Sequence, residues 1–154
     1  MKKIIMLFIV ISLFIIASCS NEQKLVEFEK NELLEELNEQ GIKPKLPTKF
    51  PIEIKEFELQ MPPHESQIYP IVFIGESGEV FNLRIHLGDV TYSGEFDETV
   101  KINGQDGSFN EDDITGLDLV WNDGKYHYFL NYQTIGLDTK VTKETMISIA
   151  ESFK

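Results

Sequence analysis

Residues 117–132, LDLVWNDGKYHYFLNY, decide the fold. Leu117, Leu119 and Trp121 fall on alternate positions, and so do Tyr126, Tyr128, Leu130 and Tyr132. A period of two puts each set on one face of a strand. Asn122-Asp123-Gly124 stands between them, and Asp-Gly supplies the positive φ that a tight hairpin needs. The stretch therefore reads as an antiparallel hairpin with one aromatic face, and such a face needs a covering layer. Downstream, Met146, Ile149, Ala150 and Phe153 make the apolar stripe of a helix predicted over Lys143–Phe153. Thr142 suits its N-cap, Glu144 its first turn, and Val141 a staple onto Met146.

Upstream, Val80–Leu87 alternates as cleanly, with Phe81, Leu83, Ile85 and Leu87 on one face and Asn82, Arg84 and His86 on the other. Ile68–Ile74 is an apolar run whose Pro70 marks a strand start or a sheet edge. The turn Gly75-Glu76-Ser77-Gly78 joins these two into a second hairpin. Ile52–Leu59 reads as a further strand, ended by Pro62-Pro63. Gly88–Asp97 is irregular, with a short strand at Val90–Tyr92. Thr99–Ile102 is a short strand closed by two turn pairs, Asn103-Gly104 and Asp106-Gly107, and Asn110–Asp113 is an acidic loop. Pro44, Pro47 and Pro51 make residues 43–51 an extended linker and a domain boundary. In Ser20–Gln40, Leu25, Phe28, Leu33, Leu34 and Leu37 recur at helical spacing, and Gly41 suits the C-terminal cap. That segment is either a helix packed on the domain or a spacer. The expected fold is α+β: a bent, half-barrel-like antiparallel sheet with the C-terminal helix on one face and a helical segment ahead of it.

The chain opens with MKKIIMLFIVISLFIIASCS. Lys2 and Lys3 precede an apolar run from Ile4 to Ile16, broken only by Ser12. A charged start, an apolar stretch and small residues after it make a secretory signal. The run is shorter than the about 20 residues that a transmembrane helix needs. Ile16-Ala17-Ser18-Cys19 resembles the lipobox of bacterial lipoproteins, which implies cleavage before Cys19 and a diacylglyceryl anchor on its sulfur. Cys19 is the only cysteine of the chain. The implied organisation is a signal over residues 1–18, a helical tether over 19–43 and an α+β domain over 44–154. Two acyl chains hold a protein stably, so the expected location is the outer face of the cell membrane.

Of 14 Lys+Arg and 26 Asp+Glu, two lysines lie in the signal, leaving 12 against 26 and a net charge of −14. That balance speaks against a nucleic-acid partner, whose phosphates are met by Lys and Arg. It also speaks against a basic lipid-binding patch. Arg84 is the only arginine, so planar recognition of carboxylate or phosphate has a single candidate.

Residues 100–104, 119–128 and 149–152 (VKING, LVWNDGKYHY and IAES) together resemble a domain of unknown function found in lipoproteins and membrane-tethered proteins of spore-forming Gram-positive bacteria. The resemblance covers Leu46–Lys154. It implies the fold of lipoprotein carriers and sigma-factor regulators, a half-open barrel with helices on its concave side. It carries no catalytic residue.

His64, His86 and His127 lack the spacing of a zinc helix. His86 and His127 fall on one polar sheet face with Arg84 and Lys125, where a small anion or metal site and a solvated surface both remain open. Glu111-Asp112-Asp113, with Asp106 and Asn103, does not match the spacing of a calcium loop. No G-x-S-x-G elbow and no Gly-rich phosphate loop occurs. Neither a metal nor a cofactor is expected. Trp121, Tyr126, Tyr128 and Tyr132 are the candidate ligand-binding residues, lining a groove for a peptide or acyl chain; core packing under the helix competes with that reading. The expected function is non-enzymatic: binding of a peptide, a protein partner or a lipid at the cell envelope, with an exposed strand edge able to add an extended peptide. The alternative is an envelope enzyme, or a subunit of one, acting on cell-wall material.

Overall fold

The computed structural model describes residues 24–60, 67–88, 90, 96–133 and 138–154. Its elements run β1 (Val26–Glu27), α1 (Asn31–Glu39), β2 (Lys49–Phe50), β3 (Ile54–Leu59), β4 (Ile68–Gly75), β5 (Val80–Leu87), β6 (Glu98–Ile102), β7 (Gln105–Asp112), β8 (Gly116–Asn122), β9 (Tyr126–Tyr132) and α2 (Lys143–Glu151). β3 to β9 form one seven-stranded antiparallel sheet in the order β3-β4-β5-β9-β8-β7-β6, and β1 pairs with β2 in a separate ribbon. Two meanders make the sheet. The first, β3-β4-β5, is joined by the second laid in reverse, so that the last strand meets β5. The sheet is open, with β3 and β6 at its edges. The α+β class follows directly, and α2 packs its stripe on the sheet as its spacing demands.

The register lines up one apolar face across the sheet. Phe73, Phe81 and Tyr132 form one cross-strand row, and Ile71, Leu83, Leu130 and Leu119 another. Both helices cover this inner face, and α2 starts as expected, with the Thr142 hydroxyl accepting from the Thr145 N–H. The ring contacts are concentrated at two places: Phe28, Phe50, Phe57, Phe73 and Phe81 at one, Trp121, Tyr126, Tyr128 and Phe153 at the other.

Three expectations change. The helical pattern of Ser20–Gln40 yields a helix only from Asn31. Leu25 and Phe28 instead flank β1, whose Val26 pairs with Phe50. The C-terminal end forms as expected, with the Ile42 N–H on the Leu37 carbonyl at 3.1 Å and the Gly41 N–H on that of Asn38 at 3.0 Å. The second change concerns Asp106-Gly107, which lies inside β7 and makes no turn; Asn110–Asp112 likewise belongs to that strand. Asn103-Gly104 alone turns the hairpin, with φ of +49° and +83°. Gly107 stands in β7 because a Cβ there would lie 2.9 Å from Ile102 Cδ1 and 3.0 Å from the Val120 carbonyl.

The third change concerns residues 43–51. They are no free linker but a strap across the inner face. Ile42, Pro44, Leu46, Pro47, Phe50 and Pro51 are buried, while Lys43 and Lys45 point outward. The prolines lack an N–H, which leaves fewer donors to satisfy in a buried extended segment. The Lys43 and Lys45 N–H groups donate to the Tyr126 and Tyr128 hydroxyls at 3.0 and 3.2 Å. Leu46 exchanges backbone bonds with Lys154, and the Thr48 N–H donates to Ser152 Oγ. Leu33, Leu37, Ile42 and Leu46 belong to the same core as the sheet. The packed unit thus begins before residue 44, and the segment ahead of the prolines contributes a packed helix.

Candidate functional site

Trp121, Tyr126, Tyr128 and Tyr132 share the inner face, as their alternation predicts, but they do not line an open groove. All four are buried. Trp121 stacks on Tyr128 with ring centroids 5.1 Å apart, and Phe153 closes edge-on against both. The Tyr128 hydroxyl donates to Asp123 Oδ2 at 3.0 Å. Burial, and then the neighbouring Asp123 carboxylate, push its pKa well above the ordinary phenol value, so this proton stays in place. Tyr132 packs on Phe81 and donates to the Thr139 carbonyl. The strap and α2 occupy the space that a groove would need. What stays open beside Trp121 and Tyr128 is a cavity of about 190 Å³ that also touches Lys45 and Asp123, below the about 300 Å³ at which small-molecule pockets begin; an open cavity of about 360 Å³ between Phe109, Leu117, Val141 and Lys143 lies away from the four aromatics. The aromatic strand therefore serves the core.

Glu79 is the one buried carboxylate among the described residues. It accepts from the Thr139 hydroxyl and from the Ser77 N–H. The Thr139 bond outweighs the opposing effect of burial and holds its pKa below the ordinary value. A depressed folded pKa contributes stability above the unfolded pKa and loses it as pH falls through the folded one. Glu79→Gln is expected to unfold more easily at pH 7 and to show a flatter loss of stability between pH 7 and pH 3, measured by urea midpoints at each pH; equal slopes for both proteins would contradict this role.

Among the described residues neither the helices nor the strap packs on the outer face of the sheet, but Val90 comes beside Val120 and His127 there, and Val120 is buried. On this face Asn82, Asn131 and Asp118 form a cross-strand row, with Asn82 Nδ2 on Asn131 Oδ1 at 3.3 Å and Asn131 Nδ2 on Asp118 Oδ1 at 2.8 Å. In the next row the Arg84 guanidinium lies 4.2 Å from the centroid of the Phe129 ring. In the row beyond, His86 stands directly opposite His127. Burial, then Arg84, then His127 lower the His86 pKa below the ordinary imidazole value. Asp118 is pushed up by burial, against the hydrogen bond from Asn131 and the charge of Arg84. An open cavity of about 240 Å³ lies between Gln60, Asn82, Arg84 and Asn131.

His86, His127 and Arg84 thus do share a face, as the alternation of Val80–Leu87 predicts. Lys125 does not join them: its ammonium sits 4.8 Å from the centroid of the Tyr126 ring. Asn131, Asp118 and Phe129 were not legible as neighbours of Arg84. Their signal is the polar half of the same alternation, which becomes a site only once β9 is known to lie beside β5.

The acidic residues considered for calcium are dispersed. Asp106 pairs with Lys101 near the start of β7. Asp112 ends that strand, six residues and about 20 Å further along. There its Oδ1 accepts from the Ile114 and Thr115 N–H groups at 2.8 Å, which lowers its pKa. Among the described residues no three His, Cys, Asp or Glu side chains are grouped to hold a metal. The edge strand β3 is broken by an irregular register between Ile54 and Glu56 and is studded with Lys55, Glu56 and Glu58, features that discourage strand addition. Cys19, the signal, His64, Pro62-Pro63 and Thr91-Tyr92 lie outside the described residues. Among the described residues no helix is long and apolar enough to cross a membrane. Comparison with family models, curated proteins and solved structures finds no match to this chain.

Proposed function

We propose that this chain is a lipid-anchored lipoprotein on the outer face of the cell membrane, with a non-enzymatic role in binding a peptide, protein or small envelope ligand. The observation that carries the reading is Ile16-Ala17-Ser18-Cys19 directly after a charged and then apolar start, with Cys19 the only cysteine. An open antiparallel sheet with helices against one side supports the half-barrel architecture of lipoprotein carriers and sigma-factor regulators as its fold type. Because the strap and the helices bury the aromatic strand of the inner face, the outer face, where polar and aromatic side chains stand in register, is the surface this reading assigns to binding. The net charge of −14 after removal of the signal keeps such a domain soluble above an anionic surface.

Cys19→Ala is the test. In cells of a Gram-positive host the parent chain is expected in the membrane fraction and in the detergent phase of a phase separation. The variant is expected in the medium or the aqueous phase. A variant that stays with the membrane at the parent's level refutes the anchor.

A further inference from the structure

The chain's only arginine stands on the outer face of the sheet in an acidic protein, and among the described residues no ion pair uses it. Arg84 is exposed, and its guanidinium carbon lies 4.2 Å from the centroid of the Phe129 ring. A guanidinium held over an aromatic ring keeps N–H groups for oxygen acceptors and loses less freedom when it binds them. Beside it opens the cavity of about 240 Å³, whose lining holds Arg84 and the amides of Gln60, Asn82 and Asn131 but no carboxylate. The other charged groups on this face are Asp118, engaged by Asn131, Glu56 and Glu58 on β3 opposite Ile74 and Val72, and Lys101, Asp106 and Asp112 towards the β6 edge. His86 and His127 stand side by side in the row next to Arg84.

From this arrangement we infer that the outer face binds a phosphate group, with the Arg84 N–H edge as its principal contact and the His86 and His127 imidazoles beside it. One arginine edge satisfies a carboxylate with two parallel N–H bonds. A phosphate presents further oxygens, and the imidazoles of the next row stand on the same face to meet them; the amide N–H groups of Asn82 and Asn131 are given instead to Asn131 Oδ1, and to Asp118 Oδ1 and the Thr115 carbonyl. This names the ligand chemistry of the face assigned above and rests on that reading for where the ligand is met. Inorganic phosphate and a glycerol phosphodiester present the same chemistry from different sources.

The test uses the full chain, nitrogen-15 labelled, in a phosphate-free maltoside detergent. A single arginine gives a single Nε–H resonance, so its assignment needs no mutant. Inorganic phosphate, a glycerol phosphodiester, acetate and chloride are each titrated at constant ionic strength. The expected result is a saturable shift of that resonance with one or both phosphate compounds, the tighter of them naming the source. Arg84→Gln is expected to weaken phosphate binding about tenfold or more, read on the backbone resonances of His86 and His127. The double variant His86→Gln/His127→Gln is expected to weaken it severalfold with the Arg84 resonance still present. A shift that rises linearly without saturation, binding unchanged in Arg84→Gln, or acetate as tight as phosphate each overturns the site. None of these outcomes alters where the chain fractionates, so failure of the phosphate site and failure of the anchor are read separately.

Discussion

Gly116→Ala is expected to destabilise the protein by about 2–5 kcal/mol, the sum of a left-handed backbone that disfavours a side chain and an overlap that must be relieved. Gly116 opens β8 at φ +90°. A Cβ there would lie 2.1 Å from the Tyr132 carbonyl oxygen and 3.1 Å from the Gln133 Cα. Those atoms are backbone at the end of β9, paired with β8 in the middle of the sheet, and they cannot swing aside as a long side chain does. Gly78 provides the control. It has the same φ of +90°, but a Cβ would meet nothing within 4 Å. Gly78→Ala should therefore cost only the conformational part, about 1–2 kcal/mol. Urea unfolding followed by the fluorescence of Trp121, the single tryptophan, measures both. Equal midpoints for the two variants would show that the approach of β8 to β9 is looser than these distances.

Leu37→Ala separates a packed helix from a spacer. In α1 Leu33 and Leu37 are fully buried in the common core. Truncating such a leucine removes its transfer free energy and leaves a cavity, at a cost of about 2–5 kcal/mol. On a solvated spacer the same change would be neutral or slightly stabilising, since alanine is the better helix former. Glu39→Ala, at an exposed position of the same helix, is expected to stay within about 0.5 kcal/mol of the parent. A Leu37→Ala protein as stable as the Glu39→Ala protein would return α1 to the tether.

The two hairpins flanking β5 and β9 were legible because alternation and turn residues are local signals. Phe81–Leu87 carries period two without a break, Tyr126–Tyr132 carries it but for Phe129, and Asn122-Asp123-Gly124 sits where the chain must reverse. β7 was not legible. Its Asp106, Gly107 and Asn110 are turn formers by type, and only their pairing between β6 and β8 holds them extended. The candidate site divided in the same way. Alternation along one strand put Arg84 and His86 on the polar side. His127 of β9 was read onto that face as well, but Phe129 and Asn131, more than 40 positions away along the chain, were not.

Local chemistry by itself determined the strands of clean alternation, the capped helix at the C-terminal end and the acidic charge. These follow from neighbouring residues and need no fold. Tertiary structure alone decided whether the aromatic strand faces a groove or a core, and whether residues 43–51 are a linker or a strap. Both outcomes turn on the same contacts. The strap's N–H groups find the Tyr126 and Tyr128 hydroxyls, and α2 brings Phe153 onto Trp121. Burying those rings gains free energy only when residues from three distant parts of the chain arrive together, and no local pattern records that they do.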